Sequence, residues 1–232
     1  MLGRVAKVVL AFAACLQAAC GSGEREPGAD GPRLPQGELA GIYAGDFPCS
    51  NCAAIEATLW LREDGRFLFR QRYALDDGTA DYASHALGHW RWDESAGLLV
   101  LAGVGPDRRF AQVGADRLEM QVYSPAEHGL IRDPLAAPPV DSFRIEGESV
   151  VGRSGIAFTE CITGLALEVA PGAGYEELLR QHRRLNRNGP AALTEIEAHL
   201  EQLEGPDDTS REVLVVDRFL SLKPRTPCRG GG

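Results

Sequence analysis

Between Leu39 and Tyr123 the chain is cut into short apolar runs by Gly, Asp and Pro, at intervals that suit strands and leave little room for helices. This punctuation restricts the fold more than any other feature. Asp64-Gly65 stands between Thr58–Glu63 and Arg66–Tyr73, a strong two-residue hairpin signal. Within the second run Phe67, Phe69 and Gln71 alternate with Leu68, Arg70 and Arg72, the period of a strand with two different faces. Tyr82–Trp92, Leu98–Ala102, Phe110–Val113 and Arg117–Tyr123 continue the series. Short antiparallel strands at this spacing predict a meander barrel or a sandwich.

The pattern breaks at residues 124–140, where Pro125, Pro134, Pro138 and Pro139 mark a junction. Beyond it, Asp141–Ile145, Ser149–Thr159 and Val213–Leu222 read as strands. Tyr175–Leu185 reads as a helix, with Tyr175, Leu178, Leu179, His182 and Leu185 on one face and Glu176 four residues before Arg180. Gly189-Pro190 ends it. Residues 194–204 fit two states: Thr194 and Glu197 form a capping-box pattern, while Thr194, Ile196, Ala198 and Leu200 alternate as in a strand. Residues 229–232 are expected to be a disordered tail.

The N-terminus reads as an export signal. Arg4 and Lys7 precede an apolar stretch from Val8 to Ala19, too short for the ~20 apolar residues that a membrane span takes. Ala18-Ala19 runs into Cys20, and Gly21-Ser22-Gly23-Glu24 follows. This boundary resembles the lipobox of bacterial lipoproteins, although Gln17 stands where Leu is usual. The resemblance implies cleavage after residue 19 and lipid on Cys20. Gly21, in place of Asp, implies sorting to the outer membrane. Residues 20–38 hold almost no large apolar side chains and are expected to form a flexible tether. Removing Arg4 and Lys7 takes the formal charge from −9 to −11, which argues against nucleic acid as a partner. It also makes a covalent membrane anchor more necessary, since anionic lipid repels such a chain.

Beyond residue 20 the cysteines are Cys49, Cys52, Cys161 and Cys228. An even number in an exported chain reads as disulfides. Three connectivities are open. The favoured one joins Cys49 to Cys52 locally and Cys161 to Cys228 around the second half. Cys49-x-x-Cys52 also has a metal reading, because two reduced thiolates suit Cu(I) or Zn(II). Two ligands are too few for a closed site, and Met120 is the sole methionine after the leader. The redox reading needs a low-pKa thiolate in a thioredoxin-like frame, which all-β surroundings do not supply. His85 and His89 fall on one strand face, ~13 Å apart at strand rise, too far to share a metal. They are expected to be half-exposed on a barrel wall. Arg180, His182, Arg183, Arg184 and Arg187 form a basic group on the helix, expected to be a solvated face. No Gly-x-Ser-x-Gly, nucleotide loop or catalytic carboxylate pair is found, so no catalytic residue is assigned and an enzyme is not expected.

The most informative segment runs from Gly41 to Leu59. It holds Tyr43-Ala44-Gly45, then Pro48-Cys49-Ser50-Asn51-Cys52, then Ile55 and Thr58-Leu59, with Asp64-Gly65 and Tyr73 beyond. In order and spacing it resembles the N-terminal domain of the NlpE family, the copper resistance or copper homeostasis lipoproteins, over roughly residues 38–125. Ala54 departs from the family's usual Gly. The second half resembles the family's C-terminal domain loosely, with Cys161 and Cys228 suiting its one disulfide. The resemblance implies a lipocalin-like β-barrel over 39–125, a junction over 126–140 and an OB-like barrel over 141–228. It implies a role in envelope stress signalling or copper tolerance, through contact with a membrane sensor kinase. No cofactor is expected, with copper at reduced Cys49 and Cys52 the exception. Two other readings stay open: a barrel that binds a metal or small ligand, and a thiol–disulfide oxidoreductase.

Overall fold

A computed structural model describes residues 38–75, 80–103, 105–121, 129–186, 191–204 and 210–228. The signal, the tether with Cys20, Arg187 and the tail at 229–232 lie outside the described residues. The chain is mainly β, in two closed barrels with one helix among the described residues.

The first barrel is an antiparallel meander. Its strands are β1 (Gly41–Phe47), β2 (Ala54–Leu61), β3 (Arg66–Ala74), β4 (Ala80–Asp93), β5 (Leu98–Gly103), β6 (Arg108–Val113), β7 (Arg117–Met120) and β8 (Gly129–Arg132). Each pairs with the next, and β8 returns to β1 through Tyr43↔Arg132 and Ala44↔Ile131. At that seam a Cβ on Gly45 would stand 2.2 Å from the Gly129 carbonyl oxygen, so only glycine lets the strands close. Alternation sends Tyr43, Phe47, Leu59, Phe67, Phe69, Trp90, Leu99, Phe110, Leu118 and Leu130 inward, where they form one core. These side chains fill the interior. The Tyr43 hydroxyl donates to the Leu39 carbonyl at 2.9 Å and pins the incoming chain across one end.

Two expectations need correction here. The Asp64-Gly65 hairpin has a longer loop than the two-residue type. Arg62 N donates to Arg66 O at 2.9 Å, and Gly65 takes φ +80°, the left-handed position that such a loop reserves for glycine. The first barrel also extends past residue 125. Gly129–Arg132, placed by the prolines in the junction, is the strand that closes it.

The second barrel holds β9 (Phe143–Val151), β10 (Ile156–Glu160), β11 (Ala166–Ala170), α1 (Tyr175–Leu185), β12 (Ala192–Glu204) and β13 (Ser210–Pro224). The strand order around it is β10-β11-β13-β12-β9. Only β11 and β13 run parallel, with α1 on the connection between β11 and β12, the arrangement of an OB barrel. Its core is mostly aliphatic: Ile145, Ile156, Phe158, Leu167, Ile196, Leu200, Leu214 and Val216. Residues 194–204 are strand. Thr194 is fully buried, and its hydroxyl donates to the Ala192 carbonyl at 3.1 Å in place of capping a helix. Pairing with β13 along the whole of β12, and with β9 over 192–198, outweighs the local capping signal.

Helix α1 forms as its pattern predicts. Glu176 and Glu177 occupy the first turn and His182, Arg183 and Arg184 the last, which suits the helix dipole at both ends. Leu178 and His182 face the barrel. Arg183 and Arg184 are exposed, and the Arg180 side chain reaches solvent beside Glu177. The Ser149 hydroxyl lies 2.7 Å from His182 Nε2 and is also hydrogen-bonded to Thr194, giving a buried polar group under the helix. Such groups are costly to bury unless paired, and these are paired.

Candidate functional site

Cys49 and Cys52 lie on the connection between β1 and β2, at the rim of the first barrel. They are bonded to one another, with Cα atoms 5.3 Å apart. Phe47 anchors the entry to this loop in the core, and Ala53 N donates to Ala74 O at 3.0 Å to anchor the exit. Ser50 and Asn51 are exposed between the sulfurs. As a disulfide the pair has no thiolate to give a metal or a substrate. Among the described residues no group of three His, Cys, Asp or Glu is arranged to hold a metal ion. The pair joins two strands, so it lacks the helix N-terminus that lowers a thiol pKa in oxidoreductases.

The same end of the barrel carries Arg108, at the start of β6. It alternates with Phe110 on the inward face, and its guanidinium lies 5.3 Å from the centre of the Phe69 ring. Burial pushes its pKa below the usual guanidinium value, with Tyr73 working in the other direction. Tyr73 and Tyr82 pack together at the rim, 5.7 Å between ring centres. Sequence reasoning missed Arg108, although alternation with Phe110 was the signal that placed it inside.

Cys161 and Cys228 are bonded, Cα atoms 5.3 Å apart across 67 residues. The bond ties the turn after β10 to the segment after β13. Glu160 organises that turn. Its buried carboxylate accepts from Ile162 N at 2.9 Å and from Thr163 N and Oγ1 at 2.6 Å each. Cys228 N donates to the Glu148 carboxylate at 2.9 Å.

The barrels meet along the outer face of β2, β3 and β4. Trp60, Leu68 and Leu87 pack against the core of the second barrel. Around them Arg62 pairs with Glu212 at 2.7 Å and Arg70 with Asp141 at 2.6 Å, and Arg66 Nε donates to the Thr163 carbonyl at 3.4 Å. His85 corrects an expectation: its side chain is only 7% exposed, because the second barrel covers it. His89, four residues on, is exposed.

The chain is thus a two-barrel β protein with one disulfide in each half. The family model of the NlpE N-terminal domain matches residues 43–123, most of the first barrel. Across 197 residues the chain is 26% identical to Lipoprotein NlpE of Escherichia coli (strain K12), covering 82% of this chain and 81% of that protein. Among solved structures it is similar to the Cpx pathway activator NlpE from Escherichia coli, at 24% identity, 82% of this chain, 98% of that chain and a TM-score of 0.34. A putative lipoprotein from Shewanella oneidensis matches at 22% identity, 41% of this chain, 90% of that chain and a TM-score of 0.34.

Proposed function

We propose that this chain is an envelope lipoprotein of NlpE type that reports envelope stress by protein contact, without turnover. The observation that carries this reading is the agreement of residues 43–123 with the NlpE N-terminal domain, within a likeness to Lipoprotein NlpE that spans most of both chains. The Escherichia coli NlpE is described as an activator of the Cpx pathway, and the same role is proposed here. The anchor is lipid on Cys20, following Ala18-Ala19, and Gly21 directs the chain to the periplasmic side of the outer membrane. The partner is a sensor kinase of the inner membrane.

Reach supports the mechanism. A tether of about 18 residues confines the barrels within a few nanometres of the membrane that holds the lipid. On the outer membrane they stay away from the sensor; retained on the inner membrane, they meet it at high effective concentration. Copper tolerance is the finer part of the proposal: Cys49 and Cys52 take part only after reduction. The packed interior of the first barrel gives the ligand-binding reading no support.

Gly21→Asp is the test, with an envelope-stress reporter and no added copper. Trapping at the inner membrane is expected to raise the reporter several-fold. Cys49→Ser with Cys52→Ser is expected to abolish any copper response and to leave the trapping response in place. A trapped, lipidated chain that stays silent beside an intact sensor would falsify the signalling reading. Mass spectrometry of the membrane-extracted protein checks the anchor; lipid on Cys15, which follows Phe12-Ala13-Ala14 in the same apolar stretch, or on neither cysteine overturns that assignment.

A further inference from the structure

The barrels meet through Trp60, Leu68 and Leu87 with polar pairs around them, and relative motion is the ordinary behaviour of domains joined by such mixed contacts. His85 of β4 stands in the middle of this junction. Its ring stacks on Phe143 of β9, 5.4 Å between centres and 27° between planes. Its Nε2 is buried without a hydrogen-bond partner. Asp141 Oδ2 is 3.9 Å away and is already held by Arg70 of β3 at 2.6 Å. Beside the ring a cleft of about 470 Å³ opens between the barrels.

We propose that this junction is a proton-sensitive latch: the neutral His85 ring, stacked on Phe143, holds the barrels in register, and a proton on that ring releases them.

The argument is one of surroundings. A charge on the ring has no hydrogen-bond partner at Nε2 and reaches Asp141 Oδ2 only at 3.9 Å. From β3 it faces the Arg70 guanidinium, a like charge. From the linker it faces Asp141, whose attraction is shared with Arg70. From the second barrel it faces the cleft, where Arg144 and Glu195 pair with each other and the Glu160 carboxylate is turned onto its own loop. Glu146 completes the charged groups there, and His89 on its own strand is solvent-exposed. Burial is the largest influence and holds His85 below the ordinary 6.5; Asp141 works against it and Arg70 with it.

The direction follows by linkage. In the open state His85 is solvated and titrates near 6.5; in the closed state it titrates lower. Closure therefore has its full strength above pH ~6.5. It weakens as pH falls, about tenfold per unit for one proton, until the closed-state pKa is passed. The Arg62–Glu212 pair and the linker still join the barrels, so release is a change of relative orientation.

Hydroxyl-radical footprinting of the mature, lipidated chain in detergent tests this at pH ~7.5 and ~5.5, on either side of the ordinary histidine value. Labelling of Phe143 and Leu87 is expected to rise several-fold at the lower pH, measured against Phe110 and Phe158 in the two cores, which stay protected. In His85→Gln the pH dependence is expected to vanish. Wild-type labelling that ignores pH, or a His85→Gln variant that responds as the wild type does, overturns the proposal. If His85→Gln is open at both pH values, the wild-type His85 resonance decides by NMR. A pKa below the ordinary 6.5 sustains the latch, and one at or above it overturns it.

Discussion

The two barrels close by opposite routes. In the first, every strand pairs with its sequence neighbour, and only the β1–β8 seam joins distant segments, over two residue pairs. Its core is a run of aromatics, Phe47, Phe67, Phe69, Trp90 and Phe110. In the second, β9 waits for β12, and β11 waits for β13 across a helix and a strand. Its core is aliphatic, and it carries the buried Ser149–His182–Thr194 group and a disulfide that spans 67 residues. Local closure costs little chain entropy before contacts form; non-local closure costs more and gains more from a cross-link. The first barrel is thus expected to depend on packing, and the second on its ties.

The largest expected difference lies in the disulfides. Loop entropy assigns about 4 kcal/mol to the Cys161–Cys228 bond and about 2 kcal/mol to the short Cys49–Cys52 loop, with less realised when the unfolded chain keeps structure. Of the three tryptophans, Trp90 and Trp92 pack in the first barrel and Trp60 lies on the junction, so in a Trp60→Phe background fluorescence follows the first barrel. Hydrogen exchange across β12 and β13 follows the second. Cys161→Ser with Cys228→Ser is expected to strip protection from β12 and β13 and to leave the fluorescence transition nearly in place. Loss of both together would mean that the barrels unfold as one unit, and the contrast would fail.

The second prediction concerns the plug under α1. Ser149→Ala leaves His182 Nε2 and one side of Thr194 without a partner, a loss of about 1–3 kcal/mol confined to the second barrel. The wild type also carries a pH signature there. Burial lowers the His182 pKa below its ordinary 6.5. Above that pH the ring is neutral whether folded or unfolded, and stability is at its full value. Below it the unfolded chain takes a proton that the folded barrel resists, so stability falls by up to about 1.4 kcal/mol per pH unit until the folded-state pKa is passed. His182→Gln is expected to flatten this slope in denaturant titrations followed by hydrogen exchange of the second barrel. An unchanged slope would place the proton elsewhere.

Much of this contrast was legible in the chain. Alternation and turn residues marked the strands of the first barrel, because hairpin pairing is a local matter. The helix over Tyr175–Leu185 was legible for the same reason. What was not legible is tertiary. Gly129–Arg132 looked like part of a proline-rich junction, since its role as closing strand depends on β1, at the opposite end of the barrel's sequence. The strand identity of 194–204 depends on β13 and β9, which overrule a capping pattern complete in itself. His85 reads as a wall residue until the second barrel covers it. Around the candidate site, the cysteine spacing gave away the rim loop, while Arg108 was overlooked because a charge on an inward-facing position contradicts the simple apolar pattern.

The smallest expected effect bears on how separate the barrels are. Arg62 and Glu212 meet across the junction at 2.7 Å, with side chains 16% and 12% exposed. Arg62 also lies 4.7 Å from the centre of the Trp60 ring and 3.3 Å from Asp64. Burial works to lower its pKa, but the hydrogen bond and charge of Glu212, joined by Asp64, raise it overall. The pair is therefore attractive where it stands, yet part of that attraction offsets the loss of water. A double-mutant cycle of Arg62→Ala and Glu212→Ala is expected to return a coupling of about 0.5–1 kcal/mol, in the range of partly screened pairs. It should appear in the transition of whichever barrel unfolds first, because only that event breaks the pair. After the first barrel has opened, Glu212 has no partner left to lose. A coupling near zero would leave the apolar contact of Trp60, Leu68 and Leu87 and the Arg70–Asp141 pair to hold the junction, and would make the register of the two barrels more sensitive to His85 than to the Arg62–Glu212 pair.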